Sequence, residues 1–125
     1  MPLIEQSSFL GPPFWQFNGH LQTLAPGIWR RVKGIDYQRE RIETSDGDFL
    51  DLDWLPHKNR RLVILTHGLE GNSGGQYIRG MARHFTQHGW DALAWNCRSC
   101  SGEMNRHFRM YHHGDTEDIS TVISH

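Results

Sequence analysis

The sequence predicts an α/β fold: a mostly parallel sheet entered through an antiparallel β-hairpin. Three observations carry this. Two short strand patterns flank the tight-turn string Ser45-Asp46-Gly47-Asp48. Two later runs, RLVILT and DALAWN, are apolar over consecutive positions rather than at alternate ones. Between them lies a stretch with helical periodicity, and strand, helix, strand in about 35 residues is a βαβ unit.

The elements follow in order. Residues 1–36 read as an irregular leader, since Pro12, Pro13 and Pro26 with Gly11, Gly19 and Gly27 interrupt regular structure. Its many large apolar groups, among them Phe9, Phe14, Trp15 and Trp29, predict that it packs on a neighbouring surface. Gln38–Glu43 and Phe49–Trp54 pair across Asp46-Gly47 as a hairpin. In the second arm Phe49, Asp51 and Asp53 alternate with Leu50, Leu52 and Trp54, the pattern of a strand with one wet, acidic face. Arg61–Thr66 reads as a strand covered on both faces. A glycine-rich loop, His67 to Gly75, leads into a helix from Gln76 to about His88. Tyr77, Ile78, Met81, Ala82 and Phe85 form its apolar face, Ser73 its expected cap and Gly89 its left-handed stop. Asp91–Asn96 is the second buried strand, followed by a polar loop, Cys97–Gly114. A last helix begins at Asp115 or Thr116, with Glu117 and Asp118 in its first turn and an apolar stripe of Ile119, Val122 and Ile123.

Composition narrows the function classes. The 125 residues are 37% hydrophobic and 11% aromatic, which suits a globular chain. Thirteen Lys and Arg against 14 Asp and Glu leave a net charge of −1, with no electrostatic case for nucleic acid or anionic membrane. No apolar run approaches the 18 or so residues that a bilayer span needs. The opening residues lack the cationic and apolar regions of a signal peptide, and the expected location is cytoplasmic. With only two Cys, a disulfide scaffold is not expected.

Four stretches carry a family resemblance: PPFWQFNGHLQTLAP (12–26), TSDGDFLDLDW (44–54), THGLEGNSGGQY (66–77) and NCRSCSGEMNRHFRMYHHGDTEDI (96–119). Together, in this order, they resemble the YheT-type α/β-hydrolases. The resemblance implies the N-terminal portion of an α/β-hydrolase fold and a parent activity of esterase or lipase type on ester or acylglycerol-like small molecules, through an acyl-serine intermediate. It implies no cofactor and no metal. The fold supplies one oxyanion donor from the loop after its third strand, here His67-Gly68-Leu69-Glu70-Gly71. The Leu69 N–H is the implied donor, with His67, Gly68 and Gly71 shaping the loop. The nucleophile, acid and histidine of the triad are expected beyond His125, so the chain alone is expected to be inactive. At its open sheet edge it is expected to self-associate. The alternative is a non-catalytic binding or dimerisation module built on the same half-fold. One departure stands out: Ser99 occupies a position where the family has glycine, which is strained by on the order of 1 kcal/mol if φ there is positive.

Three other patterns have competing readings. Gly71-Asn72-Ser73-Gly74-Gly75 matches the nucleophile string G-x-S-x-G, but Ser73 lies seven residues past the strand end at Thr66, whereas an elbow serine follows its strand directly. Cys97-Arg98-Ser99-Cys100 matches C-x-x-C without the helix start that would activate a thiol. His107, His112, His113, Asp115 and Asp118 could cluster as metal ligands, yet nine histidines make chance clusters easy.

Overall fold

A computed structural model describes residues 8–56, 58–112 and 114–125. The chain divides into two compact units, Met1–Arg31 and Val32–His125. The first holds a helix, α1 (Gly19–Ile28), inside the stretch expected to be irregular. Asn18 makes it possible, since its side chain accepts from the Leu21 N–H at 2.9 Å and satisfies one of the orphan amides of the first turn. Pro26 falls near the C-terminal end, where its missing N–H costs one bond of the ladder.

The second unit is a four-stranded mixed sheet with the order β1-β2-β4-β3. Strands β1 (Gln38–Glu43) and β2 (Phe49–Leu55) form the expected hairpin, β2 pairs antiparallel with β4 (Asp91–Asn96), and β3 (Leu62–Thr66) runs parallel to β4. The hairpin loop closes by Gly47 N–H donating to the Thr44 carbonyl at 3.0 Å. Gly47 then sits at φ +79, a left-handed turn that a glycine accepts without strain. Helix α2 (Gln76–Gln87) connects β3 to β4 and stops at Gly89, φ +78, as the sequence predicts. Helix α3 (Thr116–Ser124) follows the long loop after β4.

The period-two alternation of each strand sorts its side chains into two cores. On one face Leu55, Leu65, Ala92 and Ala94 pack with Ile78 and Ala82 of α2. On the other, Ile42, Leu50, Leu52, Leu93 and Trp95 pack with Val122 of α3. The short α3 is thus stabilised by burial rather than by its own length. Within α2 the apolar face is narrower than expected: Ile78 and Ala82 are buried, while Tyr77 and Met81 stand exposed.

Two expectations about the strands are corrected. The acidic face of β2 is not wet, because Asp51 and Asp53 are 1% and 2% exposed. In the hairpin register Arg41 lies opposite Asp51 and Arg39 opposite Asp53. Each arginine forms a two-pronged ion pair with its partner, at 2.7 and 2.9 Å for Arg41 and 2.8 Å twice for Arg39. Conversely, β3 is not fully covered on its faces: Leu62 at its start is exposed, Val63 and Ile64 are half-buried, and only Leu65 is buried.

The loop after β4 is held by a buried cation. Arg98 bonds Asp118 of α3 through two nitrogens at 2.8 Å each, and also reaches Asp46 at 2.8 Å and Asp48 at 3.3 Å in the hairpin loop. Asp48 further accepts from the backbone N–H groups of Phe49, Arg106 and His107 and from Asn105. One guanidinium therefore ties the hairpin, the loop and α3 together. Ser99, next to it, has φ +61, the left-handed value at which a side chain is strained. Its hydroxyl offsets part of that strain by accepting from the Asn105 N–H at 3.2 Å, and its own N–H donates to Asn105 Oδ1.

Replacing Arg98 by Ala leaves buried carboxylates without their cation and is expected to cost about 3–5 kcal/mol in urea unfolding. At Ser99 the two smallest replacements separate strain from bonding. Both lose the hydroxyl, but only Ala keeps the strain, so Ser99→Gly is expected to be more stable than Ser99→Ala by about 1 kcal/mol. Acid sensitivity follows from the same groups. The Arg98 guanidinium and the Thr44 hydroxyl hold the Asp46 carboxyl below its usual range. For Asp48, Asp51 and Asp53 burial works the other way, yet their hydrogen-bond donors outweigh it and the net shift is downward. Folded-state values below the unfolded value of about 3.9 contribute stability that is fully present well above pH 4 and lost as pH falls below it. Urea midpoints are expected to hold from pH 7 to about 5 and to drop steeply towards pH 3.

Candidate functional site

In an open α/β sheet, ligands bind beyond the carboxyl ends of parallel strands, where loops diverge. Here those ends belong to β3 and β4, and the loops leaving them, 67–75 and 97–115, face one another. They enclose a groove of about 360 Å³ lined by Leu69, Glu70, Gly71, Cys100, Met110 and Tyr111, among others.

The first loop is pinned at its base by His67. This ring is buried, its Nε2 lies 3.0 Å from the Cys97 amide and its Nδ1 2.8 Å from the Gly68 carbonyl. An amide can only donate, so Nε2 accepts and the proton sits on Nδ1, which donates to Gly68. With both nitrogens committed, His67 is a structural link between the two loops rather than a base.

The next four amides have distinct fates. Gly68 N–H donates to the Tyr77 hydroxyl at 2.6 Å, Glu70 N–H to the Tyr111 hydroxyl at 2.6 Å, and Gly71 N–H to the Gly68 carbonyl at 2.9 Å. Leu69 N–H alone of the four has no hydrogen-bond partner among the described residues, and its side chain is 77% exposed at the groove. Glu70 sits at φ +52, the left-handed region that a non-glycine residue rarely adopts. Gly71 is needed for room. A Cβ there would lie 3.0 Å from the Gly68 carbonyl oxygen and 3.1 Å from the Tyr77 hydroxyl. Gly71 thus shapes the loop, as the resemblance implies, by letting the Gly68 carbonyl and the Tyr77 hydroxyl come close.

Ser73 is not the helix cap. Gly75 holds the cap position, while Ser73 is buried, with its hydroxyl donating to Asp53 Oδ2 at 2.5 Å and its N–H to Asn96 Oδ1 at 2.9 Å. Asn96 donates in turn to Asp53 Oδ2 at 2.9 Å, so both ends of the bridge meet on one carboxylate. Among the described residues Ser73 has no histidine partner that would take its proton. At the start of α3, Asp115 holds the N-cap position but spends its carboxylate on Arg109 at 2.8 and 2.9 Å.

The cysteines form no reactive pair. Burial pushes the Cys97 thiol up to about 12, with Cys100 and Asp118 adding to the shift, and burial raises Cys100 too. Both shifts work against the thiolate, the form on which redox chemistry depends. No group of three or more His, Cys, Asp or Glu among the described residues could hold a metal ion. His113, from the suggested cluster, lies outside those residues.

The buried links Arg39–Asp53–Ser73 and Asp51–Arg41 were missed in the sequence, though one signal was present. A hairpin turning at Asp46-Gly47 places positions 39 and 53, and 41 and 51, directly opposite, so each arginine faces an aspartate.

No protein-family model matches the chain. Curated proteins do. The chain is 41% identical over 112 residues to "Putative esterase YheT" of Escherichia coli (strain K12), an alignment covering 85% of this chain and 32% of that protein. It is 30% identical over 133 residues to "Phospholipase ABHD3" of Homo sapiens, covering 99% of this chain and 32% of that protein. A solved structure, the α/β hydrolase GrgF from Penicillium sp. sh18, overlaps 50% of this chain and 22% of its own at 22% identity and a TM-score of 0.45. Among the described residues no helix is long and apolar enough to cross a membrane. The chain spans about a third of the length of the curated relatives it matches, and with its partial α/β-hydrolase sheet it belongs to the YheT-type α/β-hydrolase family.

Proposed function

We propose that these residues supply the oxyanion loop of a carboxylic-ester hydrolase, with the Leu69 N–H as one of its donors. The carrying observation is the selective vacancy of that amide. Of four successive N–H groups it is the one left without an acceptor, and it borders the groove at the ends of the two parallel strands. In ester hydrolysis a serine hydroxyl attacks the carbonyl carbon, and the carbonyl oxygen gains the negative charge. A fixed N–H aimed at that oxygen lowers the barrier by about 2.7–4 kcal/mol. Collapse expels the alcohol and leaves an acyl-serine, which water then cleaves to the acid. The relatives named as an esterase and a phospholipase support an ester or acylglycerol-like small molecule as substrate.

The nucleophile, its histidine and its acid are not supplied by these 125 residues in this reading. Ser73 is bonded to an arginine-paired aspartate, and His67 has both ring nitrogens engaged.

Butylphosphonate, a tetrahedral anion shaped like the hydrolytic intermediate, tests the loop. In ¹⁵N-labelled chain its addition is expected to shift the Leu69 amide resonance and to leave those of Gly68, Glu70 and Gly71 in place. An unmoved Leu69 amide would overturn the assignment. The chain by itself is expected to release no p-nitrophenol from p-nitrophenyl butyrate above buffer. Turnover that disappears in Leu69→Pro would place the nucleophile within these residues.

A further inference from the structure

We infer that Tyr77 and Tyr111 are positioning residues that select which amide of the 68–71 loop is free to bind an anion. The inference rests on the reading of this loop as an oxyanion donor and names the side chains that make it one.

The two hydroxyls do the same work from opposite sides. Tyr77, in the first turn of α2, accepts from the Gly68 N–H at 2.6 Å, and Tyr111, from the loop after β4, accepts from the Glu70 N–H at 2.6 Å. The bonded amides flank Leu69. Their removal from service is what reduces a run of donors to one. Without the acceptors, amides 68 and 70 would be free to take water or ligand, and an anion would have several competing positions.

Geometry favours a dedicated arrangement over a chance contact. Tyr77 reaches its amide only because residue 71 has no Cβ, which would lie 3.1 Å from the hydroxyl. Glu70 keeps a left-handed φ of +52, and a non-glycine residue stays there only when its surroundings hold it. The Tyr111 bond lies on that residue's own N–H. Tyr111 is itself oriented, with its ring edge-on to the buried His67 at a centroid separation of 6.1 Å and an interplanar angle of 77°. His67 in turn bonds the amide of Cys97 at the end of β4. Each tyrosine therefore comes from a different element, and the loop between them is set by both.

The chemistry expected of such a clamp is steric and directional rather than acid–base. Each hydroxyl accepts from an amide and keeps its own proton, so neither is asked to move a proton to substrate. A consequence is that phenylalanine, equal in shape and lacking the oxygen, removes the selection while keeping the packing.

The test uses the full chain, ¹⁵N-labelled, as Tyr77→Phe and Tyr111→Phe. In the parent, Gly68 and Glu70 amides are expected to exchange with solvent more slowly than that of Leu69. Tyr111→Phe is expected to speed exchange at Glu70 by about tenfold with Gly68 unaffected, and Tyr77→Phe to do the reverse. Butylphosphonate is then expected to shift Glu70 as well as Leu69 in Tyr111→Phe, and Gly68 as well as Leu69 in Tyr77→Phe. A purely structural role would instead speed exchange across α2 and β4 together, and that pattern would overturn the inference. So would exchange at Gly68 and Glu70 that neither substitution changes. If the exchange pattern holds but phosphonate moves no amide in any variant, the clamp stands and the oxyanion reading fails. If phosphonate moves Leu69 alone in all three proteins, the oxyanion reading stands and the selection by tyrosine fails.

Discussion

The carboxylate of Asp53 is the point on which the candidate loop depends. It lies under the sheet face that α2 covers, and it accepts from three directions: Arg39 on β1, Asn96 on β4 and Ser73 in the loop before α2. A buried carboxylate is costly unless such donors surround it, and a sheet that places one there must also place its partners. Here the partners are spread over every segment whose relative position matters. The register of β1 on β2, the register of β2 on β4 and the path of the 67–75 loop are all fixed by bonds to one side chain.

The same logic recurs on the opposite flank of the loop after β4, with the charges reversed. Arg98 is a buried cation surrounded by Asp46, Asp48 and Asp118. Asp53 locks the loop that follows β3, whereas Arg98 locks the one that follows β4. The two loops that line the groove are consequently held by directional polar bonds, hydrogen bonds of Ser73 in the first and ion pairs of Arg98 in the second, rather than by apolar contacts that tolerate sliding. A site built from backbone amides needs that, because an N–H misplaced by an ångström loses most of its effect on a developing charge.

Much of this fold is legible in the residues, and the reason is locality. Asp46-Gly47, Gly89 and the first-turn acids of α3 announce their structures within a few positions. Continuous apolar runs identify the parallel pair. What the sequence conceals is where a polar residue's partner lies when it is distant in the chain. Ser73 resembles a cap because a cap is a local role, yet its bonds go to Asp53 and Asn96, 20 and 23 residues away. Asp51 and Asp53 resemble a solvated face because alternation is a local pattern, yet their cover comes from arginines across the hairpin. The helix in the leader is the opposite case, a local signal outweighed. Asn18 is a good cap, but the nearby prolines and glycines count more heavily in a reading by composition.

The candidate site shows the same division. Its position, in the glycine-containing loop after the first parallel strand, follows from the motif. The family resemblance also implies the Leu69 amide, but why that amide stays free is not legible in the residues, because it is decided by subtraction. Leu69 has no distinguishing chemistry of its own, and its N–H matters because Tyr77, Tyr111 and the Gly68 carbonyl have occupied its neighbours. Tyr111 lies 41 residues from the amide it binds. The strain visible at Glu70 and at Ser99 belongs to the same design. Both residues are held left-handed by bonds to their own N–H, from Tyr111 in one case and Asn105 in the other. Both also line the groove. Backbone conformations that a free chain would avoid are thus concentrated where the two loops meet, and hydrogen bonds to the side chains of Tyr111 and Asn105 maintain them there.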